Sequence, residues 1–187
     1  MSDGIMLIGI GDLGAHILNF LARTPGVREI IAADVDHRAP AVKVAMARYG
    51  AYFQGFYPRI DFLKLDLSNV ESVSNILKET RPRVICATTT LYPMYLRPSL
   101  SKEIIDNIHA KYGGDACQFA LQVYLPIKLM QAIKRSGIDT RIVQGSSADW
   151  VNPVLKGMGL LRPGTCGAGN IALSTAFIKE IVSNELR

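Results

Sequence analysis

The chain predicts a doubly wound parallel α/β sheet with helices on both faces. Short apolar runs alternate along it with segments whose apolar residues recur at helical spacing. The first run, Ile5 to Ile8, enters Gly9-Ile10-Gly11-Asp12-Leu13-Gly14, and Leu13, Ile17, Leu18 and Leu21 then mark one side of a helix. The second run, Glu29 to Asp34, ends in an acid 20 positions after Gly14. Strand, glycine turn, helix, strand and terminal acid form the fingerprint of a dinucleotide site.

The remaining elements follow in order. Thr24-Pro25-Gly26 stops the first helix. His37 to Pro40 reads as a loop, Ala41 to Tyr49 as a short helix stopped by Gly50, and Ile60 to Leu65 as a third strand. Ser68 or Asn69 caps a helix carrying Val70, Val73, Ile76 and Leu77, which Arg81-Pro82 ends. Arg83 to Thr88 is a mostly apolar fourth strand, as a central parallel strand should be. Ser99 to His109 is helical, and Lys111 to Gly114 is a break. A long helix capped by Asp115 runs past Pro126 to Gly137. Thr140 to Gln144 is the fifth strand, a short sixth falls within Leu160 to Gly169, and Asn170 to Leu186 is a final helix.

In this Rossmann-type arrangement each glycine has a task. Gly9 permits the tight turn, Gly11 lets a pyrophosphate approach the backbone, and Gly14 lets helix and sheet pack closely. Asp12 and Leu13 open the helix, whose free N–H groups and positive end face the phosphates. Asp34 accepts from the ribose hydroxyls and favours NAD over NADP, because a 2′-phosphate would meet its charge. Arg38 is the nearby cation that a 2′-phosphate would use if Asp34 turned away. Ligands of such sheets lie beyond the carboxyl ends of the strands. That places Asp66 and Leu67 beside the adenine, with a turn-forming role for Asp66 as the alternative. Ala87 and Thr88 are small enough to let the cofactor cross the sheet.

The totals set bounds. A chain of 187 residues with 49% hydrophobic content makes one domain with a substantial core. The reading is a single NAD(P)-binding domain over 1–187, with residues from about 150 onward leading into a missing substrate domain. The net charge of +5 is spread thinly, so neither nucleic acid nor membrane is expected as a partner. Cys86, Cys117 and Cys166 lack metal or disulfide spacing, which fits a reducing, cytoplasmic setting without a metal. The amino terminus lacks a signal-peptide layout.

Candidates for chemistry are fewer. His16 and His37 read as structural or exposed, which leaves His109 as the weak catalytic candidate. Ser146, Ser147 and Asn152 follow the fifth strand and can orient a substrate or form the turn into the next helix. Tyr124 and Lys128 have the spacing of the short-chain dehydrogenase proton-transfer pair. They precede the fifth strand rather than follow it, and Pro126 interrupts their helix, so the pair reads as an ordinary helix face.

The order Ile8 to Gly14, Ala33-Asp34, Leu65 to Ser68 and Pro82 to Ala87 resembles the amino-terminal NAD(P)-binding domain of saccharopine dehydrogenase-like proteins, over the first half of the chain. Extended short-chain dehydrogenases and epimerases share a similar run from the third strand to the fourth, but lack this glycine spacing. Val151-Asn152-Pro153 and Gly164 to Asn170 resemble pieces of lactate and malate dehydrogenases beyond their fifth strand. There the Asn of the pair contacts substrate, which implies that role for Asn152. Two-domain enzymes of these kinds carry a substrate domain after the cofactor domain. The resemblance therefore implies a fragment, a site completed by a partner or homo-oligomer, or a site built from the segments after Thr88.

The function expected is an NAD(P)-dependent oxidoreductase moving a hydride between nicotinamide and a small amino or hydroxy acid. The alternatives are a non-catalytic NAD-binding sensor or scaffold, and an extended short-chain-type epimerase.

Overall fold

The computed structural model describes residues 4–91, 101–112, 118–168 and 170–185. Its sheet runs β3-β2-β1-β4-β5-β6, with every neighbouring pair parallel. The strands are β1 (Ile5–Ile8), β2 (Glu29–Asp34), β3 (Arg59–Lys64), β4 (Val84–Ala87), β5 (Arg141–Gln144) and β6 (Thr165–Gly167). The helices are α1 (Asp12–Leu21), α2 (Arg38–Tyr52), α3 (Val70–Thr80), α4 (Lys102–Tyr112), α5 (Gln118–Ser136), α6 (Ala148–Gly157) and α7 (Asn170–Glu185). This is the doubly wound fold that the sequence predicts.

Period-two alternation along the central strands divides the core. Leu7, Ala32 and Ile60 point to one face, where Leu18 of α1, Ala22 just after it, and Val44, Ala47 and Ala51 of α2 cover them. Met6, Ile8, Ile85 and Ile142 point to the other, beneath Val73 and Leu77 of α3 and Met130 and Ile133 of α5. Because the chain winds outward from β1 to β3 and then crosses back to β4, strand order reverses between β1 and β4. The connections there depart to opposite faces and leave a crevice at the carboxyl ends of the strands. Ile8 sits level with Ala33 and with Ala87, so the turns after β1, β2 and β4 open at one height.

The local signals explain most of the boundaries. Asn69 caps α3 by accepting from the Ser72 N–H at 3.0 Å, and Arg81 ends it in the left-handed region at φ 43°. Gly137, at φ 68°, follows the end of α5. The reading of α2 needs correction: it starts at Arg38 and passes through Gly50. Pro40 is tolerated because N–H groups of a first helical turn have no partner within the helix. Gly50 stays inside at the modest cost of a glycine in a helix interior, with the Arg23 guanidinium from just past α1 lying over it. β3 begins at Arg59 rather than Ile60. α4 runs from Lys102 through Tyr112, so Lys111 belongs to the helix and not to the break. Helix α6 occupies residues that the sequence patterning leaves unassigned, since Pro153 lies within it. Ser99, Gly113, Gly114 and Asp115 lie outside the described residues.

Candidate functional site

The glycine turn is fixed by contacts that only glycine allows. Gly9 has φ 93°, and a Cβ there would lie 2.9 Å from Thr89 Cγ2 and 3.0 Å from the Thr88 carbonyl oxygen. Thr88 Oγ1 donates to the Gly9 carbonyl at 2.7 Å, so the end of β4 holds the turn from beneath. A Cβ on Gly14 would strike the Gly9 carbonyl oxygen, which accounts for the third glycine by packing. Gly11 is different. Its φ is −67°, and a Cβ there would meet nothing within 4 Å. It caps α1 without a side-chain hydrogen bond, leaving the first N–H groups of the helix facing open space.

The peptide of Ile10 is held from both ends. Its N–H donates to Asp34 Oδ2 at 2.6 Å, and its carbonyl accepts from Lys43 Nζ at 3.1 Å. Lys43 Nζ also lies 3.6 Å from Asp12 Oδ1. Asp34 Oδ1 accepts from the Asp36 N–H at 3.0 Å, which leaves one acceptor site on each oxygen for a ligand. The N–H of Arg38 holds the Asp36 carboxyl below its ordinary range. Lys43 was not evident from the sequence. The available signal was its place in the first turns of the helix that follows the acid-ended strand.

A cleft of about 1080 Å³ spans the strand ends. Gly9, Gly11, Asp12, Leu13 and Asp34 line one half, with Leu65, Asp66, Leu67 and Ser68 at its far end. Thr88, Thr89, Thr90 and Leu91 cross the middle. Gly145, Ser146, Ser147 and Ala168 line the other half, with Gln122, Tyr124 and Leu125 of α5. Most of the sequence candidates therefore converge. Gly14 and Ala87 lie beneath the cleft as packing residues, while Asn152 on α6 and His109 on α4 do not border it. His109, His16 and His37 are exposed. Asp66 is exposed and turns the chain, its Oδ1 accepting from the Ser68 N–H at 2.9 Å. The Ser68 hydroxyl and N–H hold its carboxyl below the usual range.

Among the described residues, the β4–β5 half is lined by hydroxyl, amide and apolar groups with little charge. Ser147, in the left-handed region at φ 42°, donates its hydroxyl to Gln122 Oε1. Ser146 is 7% exposed, and its Oγ has no hydrogen-bond partner among the described residues. Such a buried hydroxyl is costly unless something else bonds it. Among the described residues, the ionisable side chains lining this half are Tyr124 and Cys86. Lys128 Nζ sits 5.4 Å from the Tyr124 ring centroid. The helix face that the spacing marks as ordinary thus borders the cleft at Tyr124. Burial pushes the Cys86 thiol up to about 11, with Cys166 adding to the shift. Among the described residues no cluster of His, Cys, Asp and Glu could hold a metal, and no helix is long and apolar enough to cross a membrane.

No family model and no curated protein matches the chain. Solved structures do. Malate dehydrogenase from Picrophilus torridus, in its apo form, superposes with a TM-score of 0.63 at 19% identity over 90% of this chain and 46% of its own. Malate dehydrogenase from Plasmodium falciparum gives 0.60 at 17% over 91% and 46%. Lactate dehydrogenase from Eimeria maxima, solved with NADH and oxamate, gives 0.58 at 13% over 89% and 43%. The chain has their fold. It spans less than half the length of each.

Proposed function

We propose that the chain binds NAD(H) across the cleft and serves an oxidoreductase acting on a small polar substrate. The observation that carries this is the opening beside Gly11. There the uncapped start of α1, the space a side chain would fill and the Asp34 carboxylate meet. A pyrophosphate fits that opening, with helix N–H groups as donors. The acceptor sites left on Asp34 fit ribose hydroxyls and disfavour a 2′-phosphate. Leu13, Ile17, Val35 and Leu67 supply apolar walls for the adenosine half.

Bound there, the nicotinamide would supply the hydride chemistry, and the protein orientation and exclusion of water. Ser146, Thr89 and the Ser147–Gln122 pair border the half in which a substrate carbonyl or hydroxyl would be held. The lactate and malate dehydrogenase likeness supports the fold, and the hydroxy-acid substrate class rests on analogy with those proteins. The saccharopine dehydrogenase-like resemblance favours an amino acid instead.

A second reading has its own support. The β4–β5 half offers no histidine or carboxylate among its described lining residues, which suits a module that binds NAD without turnover. Calorimetry with NADH and NADPH tests the binding. Absorbance at the reduced-nicotinamide band with 2-hydroxy and 2-amino acids tests turnover. Binding without reduction by any of them selects the sensor, and absence of binding removes both readings.

A further inference from the structure

Helix α2 is apolar on two opposite faces. Pro40, Val44, Ala47 and Ala51 are buried against the sheet. On the outward side Val42, Met46, Tyr49 and Phe53 follow one another at spacings of four, three and four, and all are exposed. Phe53 is 91% exposed, and Phe20 on the neighbouring α1 is 76% exposed. A helix apolar on both sides is normally covered on both. Apart from Arg38 at its start, that outward stripe carries no charge. Lys43 is turned to the glycine turn, and Arg48 donates to the Ile60 carbonyl.

We infer that this stripe is the contact between two copies of the chain, with the two α2 helices packed antiparallel about a dyad. Three features select a second copy. The 4-3-4 spacing is that of a helix seam that packs against a helix of the same periodicity, which an isologous interface supplies automatically. The four side chains of the stripe present on the order of 500 Å² of exposed surface, a large share of the roughly 800 Å² each partner contributes to a standard stable interface. The charges also complement one another in only one direction. Arg38 lies at the start of α2, and the last turn has no basic residue to offset its carbonyls. Antiparallel packing sets each Arg38 beside the partner helix's negative end, whereas parallel packing would oppose the two arginines. Because Lys43 ties α2 to the Ile10 carbonyl, the contact also braces the glycine turn from behind.

Sedimentation velocity on the full 187-residue chain tests this, up to about 100 μM, where an interface of micromolar affinity is saturated. The wild type should sediment as a dimer, twice its 20.5 kDa mass. Met46→Glu and, separately, Phe53→Asp should be monomeric with unchanged circular dichroism, since both side chains point to solvent in the single chain. Arg38→Glu should weaken the dimer by roughly tenfold. Direction is read by mixing Val42→Cys and Phe53→Cys proteins, each in a Cys117→Ser, Cys166→Ser background. Oxidation should link unlike copies and not like ones. A monomeric wild type, a dimer that survives both Met46→Glu and Phe53→Asp, or cross-links between like copies would overturn the inference. The first outcome would leave the stripe to a different protein or to another part of a longer chain.

Discussion

The Asp34 carboxylate accepts a hydrogen bond from the Ile10 N–H at 2.6 Å, joining the end of β2 to the middle of the glycine turn. The acid expected to hold a ribose therefore also shapes the glycine turn. Its two duties can be separated. Asp34→Ala should cost about 1–3 kcal/mol in urea melts, the range for losing a charge-assisted bond, and weaken NADH binding. Asp34→Asn keeps an acceptor for Ile10 and should fold almost as well. It should still shift the NADH-to-NADPH affinity ratio toward NADPH by about tenfold, since one repelled charge is worth about 1.4 kcal/mol at such a site. An unchanged ratio in paired titrations would sink the ribose assignment.

Two glycines three residues apart should fail in opposite ways. Gly11→Val meets no protein atom and adopts a permitted φ, so it should stay folded, with only the loss of about 1 kcal/mol expected of a poorer N-cap, while losing NADH binding. Gly14→Ala forces a methyl into the Gly9 carbonyl and should lose about 2–4 kcal/mol of stability. Thermal melts and calorimetry on the same two proteins check both halves of the contrast.

Cys86 sets an alkaline limit. Its thiol is neutral in the fold up to about pH 11, while an unfolded thiol ionises near 9.0. Below that lower value both states carry the proton and Cys86 contributes no pH dependence. Between the two, the unfolded chain releases a proton that the folded one keeps. Stability should fall through that window by on the order of 2 kcal/mol. Cys86→Ala should remove this component, which subtraction of two urea-melt series at pH 8 to 11 would reveal.

Ser146→Ala removes a buried hydroxyl that has no partner among the described residues. Folding should therefore change by less than about 0.5 kcal/mol, or improve. If Ser146 orients substrate, kcat/KM should drop by about tenfold or more once a substrate is found. Unaltered kinetics would remove Ser146 from the site.

The β1–α1–β2 unit could be read from the chain because glycine spacing, helical periodicity and a strand-ending acid are local signals that agree. Asn69 and Gly137 were legible for the same reason. What escaped depends on distant partners. Gly50 looks like a helix stop until the Arg23 guanidinium is seen above it. Lys43, Gln122 and Tyr124 gain meaning only when α2 and α5 are laid beside the strand ends. Pro153 conceals α6, and Asn152 sits on that helix away from the cleft despite its suggestive Asn-Pro pair.

The reversal of strand order between β1 and β4 leaves the two halves of the sheet joined by a single ladder from Ile5–Val84 to Ile8–Ala87. A molecule stretched over the cleft would touch segments from both sides of that join. Under the proposed function, the choice of nucleotide would rest on the β1–β3 flank, and the choice of what reacts with it on the β4–β6 flank. Either flank can drift or be re-engineered while the other is left intact.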